Sequence, residues 1–265
     1  MADELADVLA DKLSSLESQR TTWESHWQEI ADYVVPRKAD ITRKRTPGDK
    51  RTNLIFDGTA IHAAELLSAS LHGMLTSMSS QWFSLQYRQD ELNADDTARE
   101  WLQSVEEVMY KAFSRSNFQE QVHELYHDLI TFGTAVMFIE SDSEKDINFS
   151  TRHIGECYLT EDDKGRVDTV YRQFKMPGSA IRKRFGIEKL SKKLQDQIME
   201  NPMELRELVH AVYPRENLDP TLATSENKPF ASVYFDPEEK VVLPESGFDE
   251  LPHCCPRWLK SSYEV

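Results

Sequence analysis

Residues 125–139 read Leu-Tyr-His-Asp-Leu-Ile-Thr-Phe-Gly-Thr-Ala-Val-Met-Phe-Ile, and the hydrophobic period changes inside this stretch. Up to Phe132 apolar side chains recur every three to four residues, the spacing of one helix face; over 135–139 they are continuous, the pattern of a short buried strand. Gly133 stands at the change, where a helix closes best on a residue free to take positive φ. Helical spacing dominates before this point, and turn-punctuated strands follow it. The stretch therefore predicts an α+β chain: a helix-rich half over 1–140, then a mostly antiparallel β-rich half with short helices over 141–265.

Upstream, Asn117 is placed to cap the helix that ends at Gly133, and before it a helix over about 93–115 sets Ala98, Trp101, Leu102, Val105, Val108 and Phe113 on one face. Trp82-Phe83-Ser84-Leu85 reads as a short strand. Asp57 can cap a helix with Ile61, Ala64, Leu67, Leu71, Met74 and Met78 in register. Its other positions, among them Ala60, Ala63, Ser70 and Gly73, are small and predict close neighbours on several sides. The first helix carries Leu9, Leu13, Leu16, Arg20, Trp23, Trp27, Ile30 and Val34 in steps of four and three, the seam of a long helix packed on another helix, and Pro36 stops it. Arg20 is the polar member of that seam. It calls for a buried carboxylate or for a helix break at Thr21 and Thr22.

Downstream, 156–160 and 167–174 flank a turn with Gly165, a hairpin signal. Pro177 opens a short helix that ends at Gly186, and 190–208 predicts another that Pro202 interrupts. Strands follow at 208–213, 230–235 and 240–244, with an exposed loop over 214–228.

At 265 residues the chain can bury roughly 70–75% of its unfolded surface, so a real core is available. With 39% hydrophobic and 29% charged residues it is neither collagen-like nor a disordered chain. No apolar run approaches the roughly 18 residues of a membrane helix, and Met1-Ala2-Asp3-Glu4 does not open a signal peptide, which predicts a cytoplasmic start. Cys157, Cys254 and Cys255 read as reduced structural thiols. The net charge of −15 argues against nucleic acid held over the whole surface. Against it, Arg37, Lys38, Arg43, Lys44, Arg45, Lys50 and Arg51 face only Asp40 and Asp49 over 37–51, a loop of net +5. Such a run is a solvated loop or a contact for phosphate or an acidic partner.

One catalytic pattern occurs. His123-Glu124-Leu125-Tyr126-His127 fits H-E-x-x-H, in which two imidazoles one helical turn apart hold zinc and the Glu activates water. The extension that would supply a third ligand is missing, and Glu140 and Glu144 lie on no evident second helix. A zinc metalloprotease with His123 and His127 as ligands and Glu124 as base is one alternative; a coiled-coil adaptor built on the first helix is another. There is no GxGxxG, GxxxxGK[ST] or GxSxG, so no cofactor and no catalytic residue are expected.

Several blocks together resemble the portal, or head-to-tail connector, protein of short-tailed bacteriophages. They are Arg20-x-x-Trp23 followed by Ile30, Tyr33 and Pro36; Asp57-x-Thr59, then Ala63, Leu67, Ser68, Leu71, Gly73 and Leu75, then Trp82-Phe83-x-Leu85; Phe118 followed by Asp128-Leu129-x-x-Phe132-Gly133-Thr134-Ala135; and Pro256-Arg257-Trp258. Ser77-Met78-Ser79-Ser80 departs from the family, which has proline before its Trp-Phe pair. The resemblance implies a structural virion protein that hydrolyses nothing, a dodecameric ring at one capsid vertex through which double-stranded DNA is packaged and ejected. Its partners would be terminase, capsid and tail adaptor proteins, with no membrane, in the virion and in the host cytoplasm during assembly. The helical half then corresponds to the wing. The stem and clip of such a protein would come after Val265, which reads this chain as a truncated form. In that setting the basic loop, with Arg43, Lys44, Arg45, Lys50 and Arg51, is a candidate contact for DNA or a capsid neighbour.

Overall fold

In the computed structural model, which describes residues 2–46, 48–219, 222 and 224–260, helix α1 (Ala2–Val34) runs unbroken through Thr21 and Thr22. At about 1.5 Å per residue it is roughly 50 Å long. Pro36, with no amide hydrogen to donate, opens a 3₁₀ turn at Pro36–Lys38 directly after it. The apolar stripe forms, but its first partner is a sheet: Leu9 and Leu13 share a core with Tyr158, Tyr171, Val209, Val233 and Phe235. Further along, Trp27 and Ala31 bury against Phe132, Val136, Ile154 and Cys157. Spacing defines a stripe on a helix and leaves open what covers it. With both halves of the stripe covered by the chain itself, the seam of a coiled-coil adaptor is already occupied.

The other helices are α2 (Thr59–Leu75), α3 (Asp90–Asn93), α4 (Asp96–Arg115), α5 (Phe118–Phe132), α6 (Gly178–Phe185) and α7 (Lys192–Glu200). The helix expected over 93–115 starts later because the Asp95 carboxylate accepts the Ala98 amide at 2.9 Å and makes the better N-cap. The helix expected over 190–208 is only α7: Ser191 caps it, and after Pro202 the chain turns extended. Asn117 does not cap α5 with its side chain. Its amide instead holds both backbone groups of Phe149, at 2.8 and 2.9 Å, while Ser116 Oγ accepts the Phe118 amide. At α2 the cap position is Gly58, and Asp57 accepts the Thr59 amide at 3.0 Å. Expected to be surrounded, α2 buries Ala64 and Ser68 alone among the described residues.

The strands are β1 (Val136–Asp142), β2 (Asp146–Arg152), β3 (Cys157–Glu161), β4 (Val167–Pro177), β5 (Leu205–Pro214), β6 (Phe230–Asp236), β7 (Val241–Val242), β8 (Ser246–Phe248) and β9 (His253–Cys254). A small antiparallel sheet has the order β2-β1-β9, and a larger one runs β3-β4-β5-β6, with β7 and β8 both on the outer edge of β6. Alternation sorts the larger sheet cleanly. Tyr171, Val209, Ala211 and Val233 face α1, while Leu208 and Tyr234 face Ile181 of α6 and Leu194 and Ile198 of α7. The small sheet sends Met137 and Phe149 toward Val122 and Leu125 of α5. The expected hairpin over 156–174 is β3-β4, with Gly165 at φ +71° in its turn. Residues 82–85 form no strand: the Trp82 and Phe83 amides both donate to the Tyr110 hydroxyl at 2.8 Å, so side chains of α4 take the place of a neighbouring strand. Among the described residues no helix is long and apolar enough to cross a membrane.

Candidate functional site

Three sequence blocks that lie far apart in the chain meet where α1 crosses the start of β1 and the C-terminal segment. α5 stops at Gly133, whose φ of +76° lets its amide close on Leu129. The freed backbone then pairs with the far end of the chain: the Trp258 amide donates to Gly133 O at 2.9 Å, Thr134 bridges Arg257, and the Ala135 amide donates to Pro256 O. Arg20 reaches the same place from α1. Its guanidinium donates to the carbonyls of Ile154, Gly155 and Cys157, lies 3.6 Å from the Tyr158 ring centroid and pairs with Glu24 at 2.6 Å. The buried carboxylate expected for Arg20 is thus a partly exposed one on its own helix, and two carbonyls of the 3₁₀ turn at Ile154–Glu156 and that of Cys157, the first residue of β3, complete the set. Between these parts lies a cavity of about 300 Å³ walled by Arg20, Trp23, Phe132, Gly133, Thr134 and Arg257.

The basic loop is more neutralised than its composition indicates. Buried Asp32 pairs with Arg43 and Arg45, and Asp40 pairs with Arg45 and Arg51. Burial works against ionisation of Asp40, but hydrogen bonds from Arg51 and Arg45 hold its carboxyl below the usual range. Buried Gln28 organises the backbone: its Oε1 accepts the amides of Ile41, Thr42 and Arg43, and its Nε2 donates to Ala39 O at 2.7 Å. Sequence reasoning missed Gln28 and Asp32, although two polar residues one turn apart beside an apolar stripe were the available signal. Lys44 and Lys50 are exposed, and Arg43 keeps 60% of its side chain in solvent.

The remaining motif residues are held by packing. Trp82 stacks on Phe118 at 5.6 Å and Phe83 on Tyr110 at 4.4 Å, fixing the 82–85 segment to α4 and α5. Asp128 is fully buried under Lys38. Asp57 and Thr59 sit at the entrance of α2, Tyr33 is 48% exposed, and Gly73 has open space where a side chain would begin.

Over residues 6–265 the sequence matches the bacteriophage head to tail connecting protein family. The chain belongs to that family. It is 32% identical over 255 residues to the probable portal protein of Bordetella phage BPP-1, covering 95% of this chain and 46% of the relative. It is also 32% identical over 269 residues to the portal protein of Salmonella phage epsilon15, covering 100% of this chain and 48% of that relative. This connector-family chain thus spans about half the length of either relative.

In the connector fold the H-E-x-x-H stretch lies within α5, and its side chains have other employment. Glu124 pairs with Lys38 at 2.9 Å, and His127 faces Glu65 of α2 at 3.6 Å. His123 packs 5.4 Å from the ring of His72, which itself bonds Gln119 at 2.6 Å. Glu140 lies on β1 beside Arg184, and Glu144 sits in the exposed β1-β2 turn. Among the described residues no group of three His, Cys, Asp or Glu is placed to hold a metal ion.

Proposed function

We propose that this chain supplies the wing-containing part of a phage portal: a structural virion protein whose copies form a ring at a capsid vertex through which double-stranded DNA is packaged and ejected. Residues 1–140 make up the wing-like region, and 141–265 the β-rich region beside it. Twelve copies, with terminase, capsid and tail adaptor proteins as neighbours, complete the proposal. The carrying observation is family membership over 6–265.

A second observation supports association. α2 presents Leu66 at 60%, Leu67 at 43%, Met74 at 75% and Leu75 at 51% exposure, and contiguous apolar surface of this kind on a folded chain marks an interaction face. Small Ala60, Ala63 and Gly73 beside them let another backbone come close.

Native mass spectrometry of the purified chain tests this. A large closed ring is expected, and Met74→Glu should dissociate it without unfolding the subunit. A monomer under all conditions overturns assembly by this chain, and one zinc per chain lost on His127→Ala would favour the protease. Within the proposal the basic loop contacts packaged DNA or a capsid neighbour through Lys44, Lys50 and the outer end of Arg43. Neutralising these three should impair packaging or assembly, and no defect overturns that assignment.

A further inference from the structure

Phe56 keeps 93% of its surface in solvent, more than any other large apolar residue among the described residues. The backbone on both sides of it is tied down. The Ile55 amide closes a turn onto Thr52 O at 3.1 Å, and Asp57 accepts the amide and the hydroxyl of Thr59. The phenyl group is therefore held out at the entrance of α2, the helix whose Leu66, Met74 and Leu75 are also uncovered. A projecting group that is already ordered loses little entropy when it is captured.

The cavity between α1, β3 and the C-terminal segment has the complementary form. Trp23, Trp27, Phe132 and Tyr158 give it aromatic walls, and Leu259, which is 80% exposed, stands at its edge. Arg20 and Arg257 line it, and among the described residues no Asp or Glu does. At about 300 Å³ it exceeds the roughly 150 Å³ in which an apolar cavity holds a benzene molecule. Other cavities suit an aromatic group less: one on α4 is lined by Glu107, Lys111 and Arg115, and one at the β3-β4 turn by Glu161, Arg166 and Lys260. A phenyl group followed by a carboxylate thus has its counterpart in an aromatic hole edged by two guanidiniums. Because Phe56 stands in solvent, the hole of its own chain does not receive it.

We infer that Phe56 of one copy inserts into this cavity on the next copy, with the carboxylate of Asp57 on the side of Arg20 and Arg257. The contact joins two different surfaces of one chain, the head-to-tail relation from which closed rings are built. An aromatic anchor in a desolvated pocket is also where interfaces concentrate their binding energy. The inference rests on the ring reading above and names the surfaces that would meet.

Native mass spectrometry of the full chain and two variants provides the test. Phe56→Ala removes the knob, and Leu259→Glu puts a carboxylate where Asp57 would arrive; both positions are exposed, so both variants should melt as the native chain does. Each alone should lose the ring. Mixed in equal amounts they should form a one-to-one dimer, because one intact knob still meets one intact cavity, whereas a contact between identical faces allows no such rescue. In the assembled chain, Phe56→p-benzoylphenylalanine should photo-cross-link to another copy within tryptic peptide 21–37, which carries Trp23 and Trp27. A ring that persists in Phe56→Ala, a mixture without dimer, or a cross-link that maps outside the cavity lining overturns this contact and leaves the ring reading standing. A native chain that is monomeric overturns both.

Discussion

Lys38 Nζ lies 2.6 Å from Oδ1 and 2.7 Å from Oδ2 of Asp128, a carboxylate with no solvent exposure. Lys38 ends the 3₁₀ turn that follows α1, and Asp128 sits about one turn before the end of α5, so the pair pins the exit of the long helix to the helix that leads into the small sheet. Burial and the ion pair act on Asp128 in opposite directions. Burial is the larger and raises its pKa to about 6.

A pH dependence follows from that balance. The unfolded chain titrates Asp128 near its ordinary value of about 3.9, so between about pH 4 and 6 the folded form binds its proton more tightly. Its stabilising contribution is complete below about pH 4 and is lost as pH rises through 6, by roughly 3 kcal/mol at most. Urea midpoints of the native chain, minus those of Asp128→Asn, should fall from pH 4 to pH 7. A difference that climbs over that range would mean that the attraction of Lys38 outweighs burial.

Arg20 is expected to tolerate lysine poorly. A lysine ammonium can neither fan out over three carbonyls and Glu24 nor lie flat on Tyr158, and carbonyls left unmet in a buried turn cost free energy. Arg20→Lys should lower stability by about 2–3 kcal/mol in urea unfolding; a change under about 0.5 kcal/mol would show that water replaces the guanidinium.

Gly133 and Gly247 separate two reasons for glycine. A Cβ at Gly133 meets nothing within 4 Å among the described residues, but the residue sits at φ +76°. Gly133→Ala should therefore cost about 1–2 kcal/mol, the conformational preference alone. At Gly247 a Cβ would lie 2.6 Å from Ser225 O and 2.7 Å from Phe230 O, so backbone has to move and β8 should detach from β6. Gly247→Ala should lose amide-exchange protection over 246–248 while Gly133→Ala keeps it, and equal protection in both would contradict the distinction.

What was legible in the sequence was local. Gly133 and Gly165 announced their turns because positive φ is a backbone property, and Pro36 ended α1 because it lacks a donor. Partners were less legible. The stripe from Leu9 to Val34 has the same spacing whether a helix or a sheet covers it, and here the covering strands lie more than a hundred residues downstream. Trp82-Phe83 has strand composition, yet nothing nearby in sequence tells that the Tyr110 hydroxyl meets both amides. The arginines of the basic loop could be counted, but their neutralisation by Asp32 and Asp40 depends on how the loop folds back on α1.

Gln28 is the residue on which that fold-back depends. Its side-chain oxygen accepts three consecutive backbone amides, at 3.1, 2.9 and 3.3 Å, beside α1. Gln28→Ala should cost about 2 kcal/mol, the penalty for leaving buried donors unmet, and should loosen 41–45 before the rest of the chain. Trypsin cuts after Arg43, Lys44 and Arg45, so native-state cleavage there should speed up roughly tenfold or more while cleavage after Arg166 keeps its rate. If the loop stays as resistant as in the native chain, the ion pairs of Asp32 and Asp40 hold it in place without Gln28.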